Sequence, residues 1–401
     1  MPDTRPAWTF TLPAALLLMA PFDILASLAM DIYLPVVPAM PGILDTTPSV
    51  IQLTLSLYMV MLGVGQVIFG PLSDRLGRRP VLLAGATAFV VTSLGAACSQ
   101  TALIFLAFRL VQAIGASAML VATFATVRDV YADRPEGVVI YGLFSSMLAF
   151  VPALGPIAGA LIGNLLGWRA IFATLAALAV PALLNAAIRW RETRPIGTAR
   201  RHRSVLPIFT SPGFWVYTLA FSAGMGSFFV FFSTAPRVLI GQAGYSPIGF
   251  SLAFATVALA MIATTRFAKG FVARWGIAGC VARGMALLVT GAALLAVGEL
   301  ARSPSFLGFI VPMWVMAAGI VLTVSVTANG ALAEFDDIAG SAVAFYFCIQ
   351  SLVVSIAGTL AVTCLDGDTA WPVIAYATTT AVLVSAGLAL LRRRERPDAA
   401  P

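Results

Sequence analysis

The stretch GPLSDRLGRRP, residues 70–80, lies between two long apolar runs and decides the fold. Two helices joined by it must reverse direction within a few residues, which requires a glycine that accepts positive φ. Its arginines suit anionic lipid headgroups, and Asp74 is placed to pair with an arginine or with a helix N-terminus of the opposite half. A simple loop needs only a glycine and a basic residue. The full array here is Gly70, Asp74, Arg75, Gly77, Arg78, Arg79 and Pro80.

Apolar runs recur along the whole chain on both sides of this stretch. Of the 401 residues, 60% are hydrophobic and only 10% are charged, a composition that indicates an integral membrane protein. A helix that crosses a bilayer needs about 20 apolar residues. The runs predicted to be helices are 11–36, 48–72, 80–98, 101–127, 137–163, 167–189, 213–236, 248–269, 278–299, 305–328, 340–364 and 370–391. We therefore predict an all-α membrane protein with twelve transmembrane helices, the first of which is retained rather than removed as a signal peptide.

Lysine and arginine lie mainly on one side of the predicted membrane. With the N-terminus inside, twenty basic residues fall on the inner side and three, Arg169, Arg237 and Arg302, on the outer side. Cytoplasmic loops have such an excess, so both termini are predicted to be cytoplasmic. This bias also explains the net charge of +7, and we expect no nucleic-acid partner.

One polar segment splits the predicted helices into two sets of six. It contains RWRETRPIGTARRHRSVLPIF, with six arginines, two prolines and the only histidine, His202. The predicted domains are an N-terminal bundle over 1–189, a cytoplasmic linker over 190–212 and a C-terminal bundle over 213–401. SDRLGRRPVLLAG from Ser73 is echoed by VARWGIAGCVARG from Val272, 199 residues later (272 − 73). Repeated halves are typical of alternating-access carriers, with the substrate site at their interface.

Three motifs together resemble the major facilitator superfamily. The array at 70–80 is similar to that family's gating-loop motif, G-x-x-x-D-R-x-G-R-R-P, between helices 2 and 3. RLVQAIGASA (109–118) resembles the arginine motif of its proton-linked drug exporters, although Ala113 stands where glycine is frequent. VPALGPIAGALIG (151–163) resembles its antiporter motif, in which small residues and prolines let a helix bend and approach a neighbour. The antiporter-motif residues are Pro152, Gly155, Pro156 and Gly159.

Longer stretches resemble a narrower group, the florfenicol and chloramphenicol exporters of Gram-negative bacteria. They are MDIYLPVVPAMPGIL (30–44), the segment 127–163 and NGALAEFDDIAGSAVAFYF (329–347). The resemblance implies proton-coupled efflux of phenicol antibiotics across the inner membrane by alternating access, with no enzymatic activity and no cofactor besides protons. We expect a monomer whose partners are the drug and the lipid bilayer. The alternative is an antiporter of the same superfamily for another small neutral drug or a metabolite such as a sugar.

Two aspartates interrupt the first apolar run. Asp23, Ser27 and Asp31 are spaced by four and fall along one stripe of helix 1, which places the carboxylates about 12 Å apart along the axis. Arg109 on helix 4 lies at nearly the depth of Asp31. An aspartate at the membrane centre costs roughly 2.5–3.5 kcal/mol on insertion scales. We hypothesise that Asp23, Asp31 and Arg109 couple protons to transport, one acid staying charged beside the arginine while the other takes up a proton. The alternative is that each aspartate is a structural polar residue bonded to a neighbouring helix, and that Arg109 packs helices by holding a backbone carbonyl.

Further side chains are predicted to line a site for an uncharged, aromatic substrate. In the second half, the aromatic residues of SFFVFFSTAP (227–236) and AFYFCIQS (344–351) suit such a site. The alternative role for these aromatic residues is plain packing or contact with lipid. The predicted substrate-binding residues are Asp23, Ser27, Asp31, Leu55, Tyr58, Met59, Arg109, Met147, Phe228, Phe232, Tyr346 and Gln350. The four cysteines lie singly in apolar runs, so no metal site is predicted.

Overall fold

The computed structural model of the chain describes residues 8, 10–131, 135–194, 204–301, 305–335 and 338–394. All regular elements within these residues are helical. The long helices, labelled in chain order, are α1 Leu12–Asp31, α2 Pro48–Leu76, α3 Arg78–Cys98, α4 Ala102–Tyr131, α5 Pro135–Leu166, α6 Trp168–Arg189, α7 Pro212–Pro236, α8 Pro247–Thr265, α9 Ala268–Leu300, α10 Val311–Leu332, α11 Ala339–Cys364 and α12 Trp371–Arg394. The prediction of an all-α chain is therefore confirmed for the part that the structure describes.

Eleven helical stretches of the described residues are long and apolar enough to cross a membrane. They include every labelled helix except α5, which contributes the shorter apolar stretch Phe150–Leu166. Several side chains in the first half of α5 lie outside the described residues. The count of twelve crossings and the side on which the termini lie remain predictions.

Two predicted helix boundaries differ from the structure for local reasons. The run 11–36 is α-helical only to Asp31 and continues as a tighter 3₁₀ helix, Leu34–Ala39. Prolines at 35 and 38 cannot donate the backbone hydrogen bonds that an α-helix needs. The run 248–269 ends at Thr265, and the chain is helical again from Ala268, before the predicted start of helix 9.

The backbone repeats its turns at a constant interval. Six described residues have positive φ, and they form three pairs, each 199 residues apart. The pairs are Asp45 with Gly244 (244 − 45), Gly77 with Gly276 (276 − 77) and Gly167 with Asp366 (366 − 167). Gly77 ends α2 at φ 108°, and Gly276 interrupts α9 at φ 63°. The reversal after α2 therefore recurs in the second half as a break in α9, where glycine alone adopts such a φ at little cost.

Helix pairs in both halves approach each other through glycines. A Cβ added to Gly85 of α3 would lie 2.8 Å from the carbonyl oxygen of Gly115 in α4. A Cβ added to Gly284 of α9 would lie 2.8 Å from the carbonyl oxygen of Gly319 in α10. Small residues at such crossings let backbones pack closely in a membrane.

The chain divides into two compact units, Met1–His202 and Arg203–Pro401. In the first unit, α1 packs against α4, α5 and α6. The core of the second unit includes Phe214, Phe335 and Tyr346, all buried.

Candidate functional site

Helix α1 places both aspartates inside the first unit. Asp23 is fully buried, and neither of its carboxylate oxygens has a hydrogen-bond partner among the described residues. Asp31, the last residue of α1, is 6% exposed. Ser27, between them, is half-buried. Buried polar groups are normally paired, so the unpaired carboxyl of Asp23 is the most unusual feature of this unit.

Arg109 of α4 is buried against α1 and two tyrosine rings. Its guanidinium carbon lies 4.7 Å from the ring centre of Tyr33 and 4.6 Å from that of Tyr58. One terminal nitrogen donates to the carbonyl oxygen of Ala29 at 3.0 Å and to Oε1 of Gln112. Nε and the other terminal nitrogen have no hydrogen-bond partner among the described residues. The cation is therefore held mainly by π faces and neutral acceptors.

The expected pairing of an aspartate with Arg109 is not present. No ion pair joins Arg109 to Asp23 or Asp31 in the described part of the chain. Arg109 instead reaches α1 at Ala29, two residues before Asp31. The guanidinium is thus bound to the backbone of α1 two residues before Asp31 rather than to the carboxylate of Asp31.

Helix α2 supplies the other predicted residues of this site. The hydroxyl of Tyr58 donates to the carbonyl oxygen of Ala26 at 2.7 Å, which ties α2 to α1 between the two aspartates. Leu55 is fully buried and Met59 is half-buried. Tyr58 therefore both fixes α1 and faces the guanidinium of Arg109.

A chain of hydrogen bonds leads away from Arg109. Gln112, which accepts from Arg109, donates through Nε2 to Oγ of Ser93 at 2.7 Å. The hydroxyl of Ser93 donates to the carbonyl oxygen of Phe89 at 2.6 Å. The chain fixes Gln112 and therefore orients the guanidinium between the two tyrosines.

The 70–80 stretch comprises the end of α2, Gly77 and the start of α3. It is held by buried ion pairs. Arg78 is 2% exposed and pairs with Asp74 at 2.6 Å and with Asp129 of α4 at 2.8 Å. Its NH1 also donates to Oγ of Ser73 at 2.9 Å. The prediction that the arginines of this loop face anionic lipid is therefore wrong for Arg78, because its charge is neutralised inside the unit.

The segment after α6 caps the N-terminus of α3. The carboxylate of Glu192 accepts hydrogen bonds from the backbone N–H groups of Arg78 at 2.8 Å and Arg79 at 3.2 Å. The N–H groups of Thr193 and Arg194 also donate to it. A carboxylate at a helix N-terminus satisfies its free N–H groups and favours its dipole.

The last turn of α6 and the segment after it also bind the 70–80 stretch. Arg79 donates to the carbonyl oxygen of Ala187 at 2.8 Å, and Arg194 donates to the carbonyl oxygen of Arg75. Arg75 and Arg79 are exposed side chains. Gly77 has no room for a side chain because a Cβ there would meet the carboxylate of Glu192, whereas Gly70 lies in open space.

The predicted small-residue face of α5 packs directly on the end of α1. A Cβ added to Gly155 would lie 3.0 Å from Cβ of Asp31, and one added to Gly159 would clash with the carbonyl oxygen of Ile32. Pro152 and Pro156 lie inside this helix. Close packing of α5 therefore fixes the position of Asp31.

Substitution of Gly159 by alanine is expected to lower the apparent melting temperature of the protein by several degrees. The added Cβ meets the rigid backbone of α1, and overpacking of this kind costs about 1–3 kcal/mol. Gly163→Ala is the matched control on the same helix, because its Cβ would meet only ends of side chains, Cγ1 of Val36 at 3.1 Å and Cδ1 of Ile171 at 3.6 Å, and no backbone atom. Thermal unfolding of purified protein in detergent measures both variants. Equal melting temperatures for Gly159→Ala and Gly163→Ala would contradict the close packing of α5 on the end of α1.

The predicted residues of the second unit form a packed aromatic region. Phe228 is 9% exposed and Phe232 is 2% exposed. Both rings pack against Phe254 of α8, at centroid distances of 6.1 Å. Phe254 stacks in turn on Phe231 at 5.3 Å. These contacts favour the packing alternative for the two predicted phenylalanines.

Helix α11 adds polar groups to the second unit. The hydroxyl of Tyr346 donates to Oγ1 of Thr327 at 2.9 Å. Gln350 is 7% exposed and donates through Nε2 to Oγ of Ser351 at 2.7 Å. Its Oε1 has no hydrogen-bond partner within the described residues. Gln350 is thus the predicted residue of this unit that keeps a free, buried hydrogen-bonding atom.

Comparison with known families decides the identity of the fold. The sequence profile described as Major Facilitator Superfamily matches residues 23–359. The chain belongs to the Major Facilitator Superfamily. It is therefore a multi-pass membrane transporter, in agreement with its eleven membrane-length helices in the described residues.

Relatives within the Major Facilitator Superfamily include antibiotic-resistance proteins. The chain is 52% identical over 94% of its length to the "Chloramphenicol resistance protein" of Pseudomonas aeruginosa, of which it covers 90%. It is 26% identical to the "Multidrug resistance protein MdtL" of Shewanella oneidensis, over 84% of the chain and 86% of that protein. The crystal structure of a D-xylose-proton symporter superposes with a TM-score of 0.75 at 14% identity, covering 93% of this chain and 97% of that one. The last likeness concerns the fold alone.

Sequence reasoning missed four residues that contact the predicted ones. Tyr33, Gln112 and Phe172 surround Arg109, and Glu192 caps α3. Gln112 follows Arg109 by three residues, a helical spacing that places both side chains on one face. Tyr33 follows Asp31 by two residues. The sequence gives no comparable signal for Phe172 or Glu192.

Some predictions fall outside the part of the chain that the structure describes. The side chain of Met147 on α5 is one of them. Residues 195–203 of the predicted linker, including His202, and the predicted outer residue Arg302 are others.

Proposed function

We propose that this protein exports phenicol antibiotics, florfenicol and chloramphenicol among them, in exchange for protons by alternating access. The observation that carries the choice of substrate is the 52% identity, over 94% of the chain, to a protein named for chloramphenicol resistance. The more distant likeness to a multidrug resistance protein supports the direction of transport.

The buried acids of α1 support proton coupling. An ionised carboxylate buried without a partner is costly, so the surroundings of Asp23 suit a neutral, protonated carboxyl. Proton release then requires a state in which the carboxylate meets water or a cation. Arg109, which keeps two nitrogens without hydrogen bonds in the described residues, is a cation in the same unit. In our proposal Asp23 and Asp31 exchange the proton, and Arg109 stabilises the deprotonated state.

One proton per drug molecule supplies enough free energy. Moving one charge down a potential of about 100 mV releases roughly 2.3 kcal/mol, and one pH unit adds roughly 1.4 kcal/mol. The sum, about 3.7 kcal/mol, supports a gradient of a neutral drug of roughly 500-fold. Export in this proposal therefore uses no nucleotide and no cofactor other than the proton.

The proposal includes the finer architecture. It has twelve membrane crossings, with α5 as the crossing between α4 and α6, and both termini on the cytoplasmic side of the bacterial inner membrane. The inner side then holds most of the basic residues. The working unit is a monomer.

Expression of this chain in an efflux-deficient host is expected to raise the minimum inhibitory concentrations of florfenicol and chloramphenicol and to leave those of chemically unrelated drugs less changed. Inverted membrane vesicles should accumulate chloramphenicol when energised, and a protonophore should abolish the accumulation. Accumulation that survives the protonophore would contradict proton coupling. Unchanged inhibitory concentrations of both phenicols, with the protein present in the membrane, would contradict the substrate.

A further inference from the structure

An apolar groove lies between α7 and α12, where α7 begins and α12 ends. Its volume is about 170 Å³. Gly387 of α12 leaves the groove open, since it has no side chain and faces Val216 of α7. The full lining is Pro212, Val216, Gly387, Leu390 and Leu391. Such a groove accepts a hydrocarbon chain and discriminates poorly among apolar occupants.

Two exposed arginines follow the groove directly. Arg392 and Arg393 come immediately after its last lining residue, in the final turns of α12. Neither forms an ion pair with a described residue. The segment RRRER at 392–396 has four arginines and one glutamate, a net charge of +3 (4 − 1). Arg392 and Arg393 therefore place positive charge directly after the last lining residue of the groove.

An acid packed against the start of α7 does not neutralise this charge. Glu334 accepts a hydrogen bond from the hydroxyl of Ser211 at 2.9 Å. No ion pair joins it to Arg392 or Arg393 among the described residues. An anion at the end of α12 thus meets two arginines that have no competing partner there.

Exposed aromatic side chains at this end of the unit suit the level of lipid headgroups. Trp215 is 36% exposed, and its indole N–H donates to the carbonyl oxygen of Phe209 at 2.9 Å. Phe209 is itself 37% exposed, on the short helix Leu206–Thr210 that precedes α7. Exposed tryptophan with basic residues is typical of the interface between hydrocarbon and water.

We propose that this end of the second unit binds an anionic phospholipid, with an acyl chain in the α7–α12 groove and the phosphate at Arg392 and Arg393. Guanidinium groups bind phosphate with charge-assisted hydrogen bonds, and basic residues at a membrane surface select anionic lipids. A second copy of the chain seated symmetrically on the same groove would bring two arginine pairs together. The charge therefore favours lipid over a protein partner.

The test is native mass spectrometry of the full chain purified in detergent and supplied with palmitoyl-oleoyl phosphatidylglycerol or with phosphatidylcholine of the same chains. The wild type should retain phosphatidylglycerol preferentially. The double variant Arg392→Gln/Arg393→Gln should lose that preference by about 30-fold, since each basic residue contributes about 1 kcal/mol to anionic-lipid attraction. Gly387→Leu, which fills the groove, should reduce retention of both lipids, provided that the variant elutes as a monodisperse species.

The matched control removes two other exposed arginines of the same unit, in the variant Arg266→Gln/Arg274→Gln. It should retain phosphatidylglycerol as the wild type does. Equal losses in the control and in the Arg392/Arg393 variant would overturn the proposal in favour of general charge attraction. Unchanged retention in the Arg392/Arg393 variant would also overturn it, as would a dimer of the chain that the same variant dissociates.

Discussion

Asp23→Asn is expected to abolish resistance, with minimum inhibitory concentrations of florfenicol and chloramphenicol falling to those of a host with an empty vector. Asparagine keeps the volume of the buried side chain but cannot exchange a proton. Without that exchange, the drug gradient of roughly 500-fold that one proton supports has no source. The same result is expected for Asp31→Asn. Inhibitory concentrations in an efflux-deficient host, normalised to protein in the membrane, measure the effect.

Asp45→Asn is the matched control for the loss of an aspartate. Asp45 is exposed and has a φ of 48°, a conformation that asparagine tolerates well. This variant should give wild-type resistance. Wild-type resistance in Asp23→Asn as well, at equal protein levels, would rule out Asp23 as a proton carrier.

Arg109→Lys is expected to lose transport almost completely although the charge is kept. The planar guanidinium lies over Tyr33 and Tyr58 and donates to the carbonyl oxygen of Ala29 and to Gln112. A lysine ammonium is a point charge that cannot reproduce both stacking contacts and both hydrogen bonds. A buried acceptor left without its donor costs about 1–3 kcal/mol. Drug accumulation in inverted vesicles measures the loss.

Arg169→Lys is the control for this substitution. The Arg169 guanidinium also lies over an aromatic ring, that of Trp168 at 4.5 Å, but its side chain is exposed at the start of α6. Transport should stay near the wild-type rate in this variant. Full transport by Arg109→Lys would show that a positive charge suffices at position 109 and that its stacking has no role.

Apolar run length predicted the helices well because a membrane helix must satisfy its backbone internally over a fixed thickness. The predicted helix boundaries were wrong where prolines or a glycine with positive φ interrupt an apolar run. Helix α1 ends at Asp31 because prolines follow it, and α9 contains a broken turn at Gly276 that hydropathy cannot detect. The interval of 199 residues between sequence echoes reappears in the positive-φ pairs. Only Gly77 and Gly276 pair glycine with glycine, so the repeat is preserved in the backbone turns more than in the residues that form them.

Asp23, Asp31 and Arg109 were predicted as the centre of the candidate site because charges in hydrocarbon are expensive to bury without a purpose. The structure buries all three side chains, and their role in proton coupling stays a prediction. The partners of these groups were less predictable. Glu192 caps α3 from 114 residues beyond Arg78, and no spacing rule links the two. The guanidinium of Arg109 lies over Tyr33 and Tyr58 and forms no ion pair with Asp23 or Asp31 in the described part of the chain. Aromatic rings occur throughout the apolar runs, so their role at one cation depends on tertiary packing.

Transport by purified protein in liposomes tests most directly whether buried acids couple protons to drug movement. Liposomes with an acidic interior should accumulate chloramphenicol above the external concentration when they contain the wild-type chain. Liposomes containing Asp23→Asn/Asp31→Asn should not accumulate it. Equal accumulation by the double variant, or uphill transport by the wild type without an ion gradient, would contradict the account.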